Sequence, residues 1–134
     1  MRKYFPLPNV IFHLGLSAGE IAVYAFLMYC EDRKTFQCYP SYKTISKALQ
    51  LSSNTVRKYV AELERKQLIT TERTTITTKA GKKRNGSLLY TIRPIEEAVH
   101  YHFEMQMQNA REEQERVYVQ KRLEEFERKH SRVS

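Results

Sequence analysis

The chain has 134 residues, 41% of them hydrophobic, which is enough for one domain with a buried core and an appendage. Its net charge of +8 and its pI of about 9.6 favour nucleic acid or another anionic surface as the partner, although a solvated basic surface would give the same values. No apolar run is long enough to span a membrane and the N-terminus does not resemble a signal peptide, so we expect a cytoplasmic protein.

The positive charge is unevenly distributed along the chain. Residues 1–94 contain 16 Lys and Arg against 6 Asp and Glu, whereas residues 95–134 contain 7 against 9. The basic character therefore belongs to the first two thirds of the sequence. Such an asymmetry between segments points to a nucleic acid as the partner.

The N-terminal third predicts an arm, a buried helix and a short strand. Two prolines bias their preceding residues away from helix, so residues 4–14 are expected to form an extended arm. Ser17 and Glu20 have the spacing of a capping box, and the apolar run behind them predicts a buried helix over residues 18–31. The aromatic and β-branched residues at 35–39 suit one short strand.

Two helices with a tight turn between them are predicted next. Pro40 and Ser41 open a helix over residues 41–49, and Ser52 is placed to cap another helix over residues 53–66. The apolar residues of both helices recur at helical spacing and are expected to face the core. They are Tyr42, Ile45, Ala48 and Leu49 in the first helix, and Val56, Tyr59 or Val60, and Leu63 in the second.

A β-hairpin with a long basic tip is predicted after these helices. The run LITTERTTITT suits a strand because it is rich in Thr and Ile. KAGKKRNGS has two glycines and four basic residues and indicates an exposed loop. LLYTIRP suits the returning strand, which Pro94 stops.

From Ile95 onward the chain has neither Gly nor Pro until its end and is rich in good helix formers, which predicts one long helix. This helix could pack back on its own domain, pair with a second copy or stand in solvent, and pairing is the alternative that we favour. Its thin apolar stripe consists of Ile95, Val99, Phe103, Ala110, Val117 and Phe126.

The predicted order is helix, short strand, helix, tight turn, helix, strand, basic loop and strand. A motif runs through the two helices that flank the tight turn. It consists of Pro40, Ser41, Ile45, Ser46, Leu49, Leu51, Ser52, Thr55, Val56, Arg57, Lys58, Val60, Leu63, Leu68 and Ile69.

With this motif, residues 41–94 resemble the winged helix-turn-helix proteins of bacteria, above all the small DNA-binding proteins and replication-initiator N-terminal domains of mobile elements. The resemblance implies a mainly α fold with a small β-hairpin wing (α+β). It also implies a winged helix-turn-helix domain over residues 1–94, including the arm, and a helical extension over residues 95–134. One departure is Gln67, where many relatives have a glycine that ends the recognition helix.

The resemblance assigns roles to three groups of residues, because the recognition helix of this class places its N-terminal residues at base edges in the major groove. Arg57 suits a bidentate contact to guanine and Asn54 suits adenine. A solvated helix face or loop is the alternative for these groups, and Tyr42 could instead belong to the core. Base contacts are expected from Ser53, Asn54 and Arg57, backbone contacts from Ser41, Tyr42, Lys43, Thr55 and Lys58, and wing contacts from Lys79, Lys82, Lys83, Arg84 and Asn85.

The leading hypothesis is sequence-specific binding of double-stranded DNA in transcriptional regulation, with two half-sites if the chain forms a homodimer through its arm or its C-terminal helix. One alternative is a role in replication initiation or plasmid and mobile-element maintenance. Another is a protein-interaction module that does not bind DNA. No cofactor, metal site or enzymatic activity is expected, because the four histidines form no metal-binding pattern and Cys30 and Cys38 read as reduced thiols.

Overall fold

The fold is described by a computed structural model that covers residues 3–131, except for the side chains of residues 83–85. Within this range, four α-helices and three strands follow one another in the order that the sequence predicts. A short 3₁₀ helix precedes them. The mainly α fold with a β-hairpin wing is thereby confirmed. The helices are α1 (Ala18–Cys30), α2 (Tyr42–Leu49), α3 (Ser53–Arg65) and α4 (Ile95–Ser131), and the strands are β1 (Gln37–Cys38), β2 (Ile69–Thr77) and β3 (Lys83–Ile92).

The N-terminal arm differs from the prediction. Instead of remaining extended, it forms the 3₁₀ helix Asn9–His13, in which the Ile11 amide donates to the Pro8 carbonyl at 3.1 Å. Ile11 is fully buried, so the turn is stabilised by inserting an apolar side chain into the core. The prolines constrain only themselves and the residues before them, which leaves the segment after Pro8 free to turn.

The core lies where α1, α2 and α3 meet the inner face of the sheet. Most of the predicted inward residues are buried, but Ala48 is exposed, and Tyr42 and Leu49 are only partly buried. The strongly apolar α1 provides the centre, which confirms its predicted role. The buried cluster consists of Ile11, Leu14, Val23, Tyr24, Leu27, Cys38, Ile45, Val56, Val60, Leu63, Leu68, Ile69, Tyr90, Ile92 and Ala98.

The three strands form one antiparallel sheet with the order β1-β3-β2 within the described residues. Its wing hairpin is longer, and its loop shorter, than predicted. β3 begins at Lys83, so Lys83, Arg84 and Asn85 belong to the strand and not to an exposed loop. The loop is confined to residues 78–82 because Thr78 and Lys82 exchange hydrogen bonds across it and Gly81 takes a left-handed conformation with φ of 77°.

A network of polar contacts joins the first turn of α1 to the end of α3. The serine cap of the predicted capping box is present, because the Glu20 amide donates to Ser17 Oγ at 3.2 Å, and the Glu20 carboxylate reaches back to the same hydroxyl, which donates to it at 3.0 Å. Lys66, the residue after α3, places its Nζ 2.6 Å from Glu20 Oε1 and 3.1 Å from the Gly15 carbonyl. The carboxylate at a helix N-terminus and the ammonium at a helix C-terminus also match the two helix dipoles.

Gln67 lies just beyond the end of α3, at the position where many relatives have a glycine. Gln67 adopts a left-handed conformation with φ of 68°, and its amide donates to the Glu64 carbonyl at 3.1 Å. The Leu68 amide donates to the Leu63 carbonyl at 3.0 Å, which completes a Schellman motif. Gln67 therefore occupies the position that a glycine fills most easily.

The chain divides into two compact units, Met1–Tyr101 and His102–Ser134, and the division falls inside α4. Within the first unit, the start of α4 is fastened by Ala98, which is buried in the core, and by an ion pair between Arg93 and Glu97 at 2.7 Å. In the second unit, α4 continues as a single helix to Ser131, as predicted. The predicted domain boundary after Pro94 stays a prediction.

Gly19 on α1 lies directly against the ring of Tyr59 on α3. A Cβ atom at this position would overlap the ring of Tyr59, which packs on the core from α3. We expect Gly19→Ala to destabilise the protein by about 1–3 kcal/mol through overpacking, although alanine is the better helix former. Urea unfolding monitored by circular dichroism measures the change.

The same substitution in a Tyr59→Ala background is the control for this prediction. With the ring absent, Gly19→Ala should become neutral or stabilising by up to about 1 kcal/mol, because only helix propensity remains. Equal destabilisation in both backgrounds would show that the ring contact is not the reason for the glycine.

Candidate nucleic-acid interface

The helices α2 and α3 begin with the same serine cap. The Ser41 hydroxyl accepts from the Thr44 amide at 3.1 Å, and the Ser52 hydroxyl accepts from the Thr55 amide at 3.1 Å. Both serines have extended backbone conformations, as N-caps require. Each helix therefore starts at a defined residue. This fixes the position of the other N-terminal amides, which have no acceptor within the helix.

The turn between α2 and α3 is defined by the backbone conformation of Gln50 and by hydrogen bonds between Ser46 and Leu51. Gln50 has a left-handed conformation with φ of 55°, which ends α2. The Leu51 amide donates to the Ser46 carbonyl at 3.1 Å, and the Ser46 hydroxyl donates to the Leu51 carbonyl. Because the side chain and backbone of Ser46 both hold this turn, the angle between α2 and α3 is set locally.

The outward face of α3 carries the predicted base-reading residues. Ser53, Asn54 and Arg57 are all exposed, while Val56 and Val60 on the opposite face are buried. This division follows from the helical spacing of the apolar residues. The structure therefore brings the three predicted base-reading residues together on one accessible surface.

Arg57 is held next to α2. Its guanidinium carbon lies 5.5 Å from the centre of the Tyr42 ring, within range of a cation–π contact. Tyr42 is partly buried and packs against the core, which supports the core alternative, and the backbone contact predicted for it stays a prediction. Its ring forms part of the domain interior on one side and a support for Arg57 on the other.

The predicted backbone-contacting residues fall into two groups. Lys43 and Lys58 are exposed, and Ser41 is an exposed helix cap. Thr55 is different, because its hydroxyl lies 2.7 Å from the Ser52 hydroxyl and completes the cap of α3. Its position is thus explained by helix capping, and the phosphate contact predicted for it stays a prediction.

The charge on this surface has one sign. Residues 33–61 contain six Lys and Arg and no Asp or Glu. The acidic residues of α3 all lie near its C-terminus, where they have partners. Arg65 Nη2 lies 2.7 Å from Glu62, and its hydrogen bond lowers the pKa of that carboxyl. The N-terminal half of α3 therefore combines basic side chains with the positive end of the helix dipole.

Glu64 joins the wing to α3. This carboxylate accepts from both the amide and the hydroxyl of Thr71 on β2, each at 2.9 Å. Lys79 and Lys82 are exposed on the wing loop. Lys83, Arg84 and Asn85 follow in β3, and their side chains lie outside the described part of the structure.

The sequence-based predictions assigned no role to Lys47 or Arg73, which are exposed near the predicted contacts on α2 and on the wing strand β2. The acid-free run over residues 33–61 would have pointed to Lys47. Arg73 lies in a Thr-rich stretch that read only as a strand, so the sequence offered no comparable signal for it.

No set of three His, Cys, Asp or Glu side chains within residues 3–131 is arranged to hold a metal. Cys30 and Cys38 are free thiols, and burial raises the pKa of Cys38 to about 12, with smaller contributions from Cys30 and Glu31. No helix in the described range is long and apolar enough to cross a membrane.

Ser52 and Ser53 test the cap of α3 as a matched pair. Ser52→Ala should destabilise the protein by about 1 kcal/mol because the Thr55 amide loses its partner. Ser53→Ala makes the same chemical change at an exposed position inside the helix, one residue after the cap, and should be neutral or slightly stabilising. Denaturant midpoints of the two variants decide the point, and equal midpoints would contradict it.

Part of this sequence matches a known protein family. A family described as Helix-turn-helix domain matches residues 14–69. No curated protein matches the sequence.

Solved structures provide the second comparison. The chain is similar to a possible transcriptional regulator from Methanosarcina mazei Go1, with 20% identity, a TM-score of 0.50, and coverage of 79% of this chain and 81% of that chain. MepR, a transcription regulator of the Staphylococcus aureus multidrug efflux pump MepA, has 16% identity and a TM-score of 0.42, with 87% of this chain and 84% of that chain covered. The S. aureus MepR–DNA complex has 16% identity and a TM-score of 0.41, with 84% and 85% covered. The helix-turn-helix match over residues 14–69 and the β-hairpin that follows α3 identify the fold as a winged helix-turn-helix.

Proposed function

We propose that this protein binds double-stranded DNA with sequence specificity and regulates transcription. One observation carries the proposal: the N-terminal half of α3 exposes Asn54, Arg57 and Lys58, contains no acidic residue and lies beside a second helix, α2, that has basic residues and no acidic ones. An anionic partner is favoured by this charge, and the shape of a single projecting helix suits the major groove.

The base contacts are assigned to the first turns of α3. Arg57 would donate two parallel hydrogen bonds to the O6 and N7 atoms of guanine. Because its contact with Tyr42 already restricts the orientations of the side chain, less conformational entropy would be lost on binding. Asn54 has the donor and acceptor that match adenine. Ser53 is the third exposed polar residue of this turn.

The phosphate contacts are assigned to the surrounding cations and helix termini. Lys43 and Lys58 flank the reading face, and the capped N-terminus of α2 offers amide groups beside Ser41 and Tyr42. On the wing, Lys79 and Lys82 would reach flanking phosphates or the minor groove, together with Lys83, Arg84 and Asn85.

We assign DNA binding to a winged domain over residues 1–94 and self-association to the helical extension over residues 95–134. A homodimer would present two copies of α3 and would read two half-sites related by its two-fold axis. Selection of bound DNA from a random pool at physiological salt tests this directly. A recovered palindrome supports the dimeric regulator, whereas a pool without any motif contradicts sequence-specific binding.

The genomic position of the recovered sequence distinguishes the alternatives. Sites in promoters support regulation of transcription, and a site confined to a replication origin would favour a replication or maintenance role. Weak binding that does not respond to salt would favour a protein-interaction module.

Arg57 tests base reading. Arg57→Ala should cost about 1–3 kcal/mol of binding free energy on the selected site and relax the preference at one base position. Arg57→Lys keeps the charge but loses the planar fork, so it should also relax that position. Fluorescence anisotropy with a set of single-base variants of the site measures both effects.

Arg65→Ala is the matched control, because Arg65 is an exposed arginine at the other end of α3. It should leave base preference unchanged. An equal loss of affinity for every sequence in Arg57→Ala would show that Arg57 contacts only the backbone.

The wing loop tests the phosphate contacts. The double variant Lys79→Ala/Lys82→Ala should weaken binding to all sequences and reduce the slope of log affinity against log salt by about 2. Lys121→Ala/Lys129→Ala removes the same charge from α4 and should keep the slope. An unchanged slope in the wing variant would exclude the loop from the interface.

A further inference from the structure

The wing strand β2 carries two charges that face in opposite directions. Within Ile69–Thr77 the charged residues are Glu72 and Arg73, which are adjacent in sequence and opposite in sign. Because successive side chains of a strand point to opposite faces, the two charges lie on different sides of the wing. The net charge of this stretch is zero, so the separation of the charges does not appear in the composition.

Arg73 lies on the face of β2 that turns toward the helices, which we call the inner face of the wing. On this face Ile69 is fully buried, and Thr71 donates its hydroxyl to the Glu64 carboxylate of α3 at 2.9 Å. Arg73 follows at the same two-residue spacing, before the register of the hairpin shifts. Its partner across the hairpin, Leu88, packs against the core, so both strands give the same orientation.

The Arg73 side chain is accessible to a partner. Arg73 is exposed, and none of the ion pairs among the described residues involves it. The carboxylate on the same side, Glu64, already accepts from the amide and the hydroxyl of Thr71. A guanidinium has five donors in a planar fork and binds a phosphate through two parallel hydrogen bonds. Arg73 is therefore suited to a phosphate that approaches the inner face.

The outer face of the same strand is unsuited to this partner. Glu72 is exposed there, and a carboxylate repels a phosphate. The two charges of β2 thus favour a polyanion on one side of the wing and oppose it on the other. The favourable side is the one that Glu64 and Thr71 join to α3.

The proposed docking of α3 brings a DNA backbone to this side. With α3 in the major groove and the wing loop, residues 78–82, at the adjacent minor groove, the protein straddles the sugar–phosphate strand that separates the two grooves. The surface that faces this strand lies between α3 and the wing loop. Arg73 is on that surface, because it follows Thr71, which contacts α3, and precedes the loop.

We propose that Arg73 binds a phosphate of the DNA strand that separates the major groove occupied by α3 from the minor groove next to the wing. The inference rests on the proposed function and extends it to a residue that has no other role in the interface. This contact adds affinity and fixes the position of the wing on the duplex, but it does not read a base.

Binding to the selected duplex tests the contact. Arg73→Gln should raise the dissociation constant by about tenfold on every sequence, because a charge-assisted contact is lost. The slope of log affinity against log salt should fall by about 1, and the base preference should stay the same. An affinity and a slope that both equal those of the unmodified chain would overturn the proposal.

Glu72 provides the matched control, because it is the neighbouring charge on the outer face. Glu72→Gln should not weaken binding. The exchange variant Glu72→Arg/Arg73→Glu keeps the net charge but moves the cation to the outer face, so it should lose at least as much affinity as Arg73→Gln. Full affinity in the exchange variant would show that only the total charge of the wing matters and would contradict the contact. Urea unfolding of each variant verifies that the fold is retained.

Neutral methylphosphonates, placed one at a time along the selected site, locate the phosphate. One substitution between the base position that depends on Arg57 and the flank next to the wing should weaken binding of the unmodified chain. The same substitution should have little further effect on Arg73→Gln, because the charge pair is already broken. Additive losses at every position would overturn the assignment.

The two proposals fail in different ways. A chain that binds no duplex contradicts the proposed function and this inference together. Specific binding that is weakened by Arg57→Ala but not by Arg73→Gln would leave the proposed function standing and overturn this inference alone.

Discussion

The burial of Val56, Val60 and Leu63 along one face of α3 is the constraint on which the candidate interface depends. Each of these side chains is almost fully removed from water, and such burial contributes roughly 1.5–3 kcal/mol per residue. Rotating the helix by one position would expose this face and bury polar residues instead. The core thereby determines which residues of α3 face outward, so the accessibility of Asn54 and Arg57 is a consequence of packing.

Polar contacts then fix α3 along its axis and against its neighbours. At its start, Ser52 caps the helix, and at its end, Lys66 joins the capping box of α1 through Glu20. Glu64 holds the wing through Thr71. The acidic residues of α3 therefore lie near its C-terminus and have structural partners there, whereas the N-terminal half of the helix contains basic residues and no acidic ones.

The two units of the chain solve different physical problems. In Met1–Tyr101, apolar side chains from helices and sheet cover one another, so the domain has its own core. In His102–Ser134, α4 has good helix formers throughout but leaves Phe103 and Val117 exposed. Helix propensity and apolar coverage are separate requirements, and the second one motivates a partner for this part of α4.

Much of this architecture could be predicted from the sequence because it depends on local signals. Serine caps mark the starts of three helices, apolar spacing identifies the inward face of α3, and the absence of Gly and Pro extends α4. The outward positions of Ser53, Asn54 and Arg57 follow from the same periodicity. Their contacts with DNA stay a proposal, because accessibility is a property of the chain whereas recognition requires the partner.

The remaining features depend on contacts between residues far apart in the chain. The arm turns where Ile11 can enter the core, and the wing loop shortens because residues 75–77 find pairing partners at residues 83–85. Arg57 lies against Tyr42, and Lys66 meets Glu20 across 46 positions of sequence. The sequence by itself determined the helices, their caps and the inward faces, since these arise within a few residues of one another. Only the tertiary structure decided the length of the wing strands, the support for Arg57 and the anchoring of α3, because these require the folded chain to bring distant groups together.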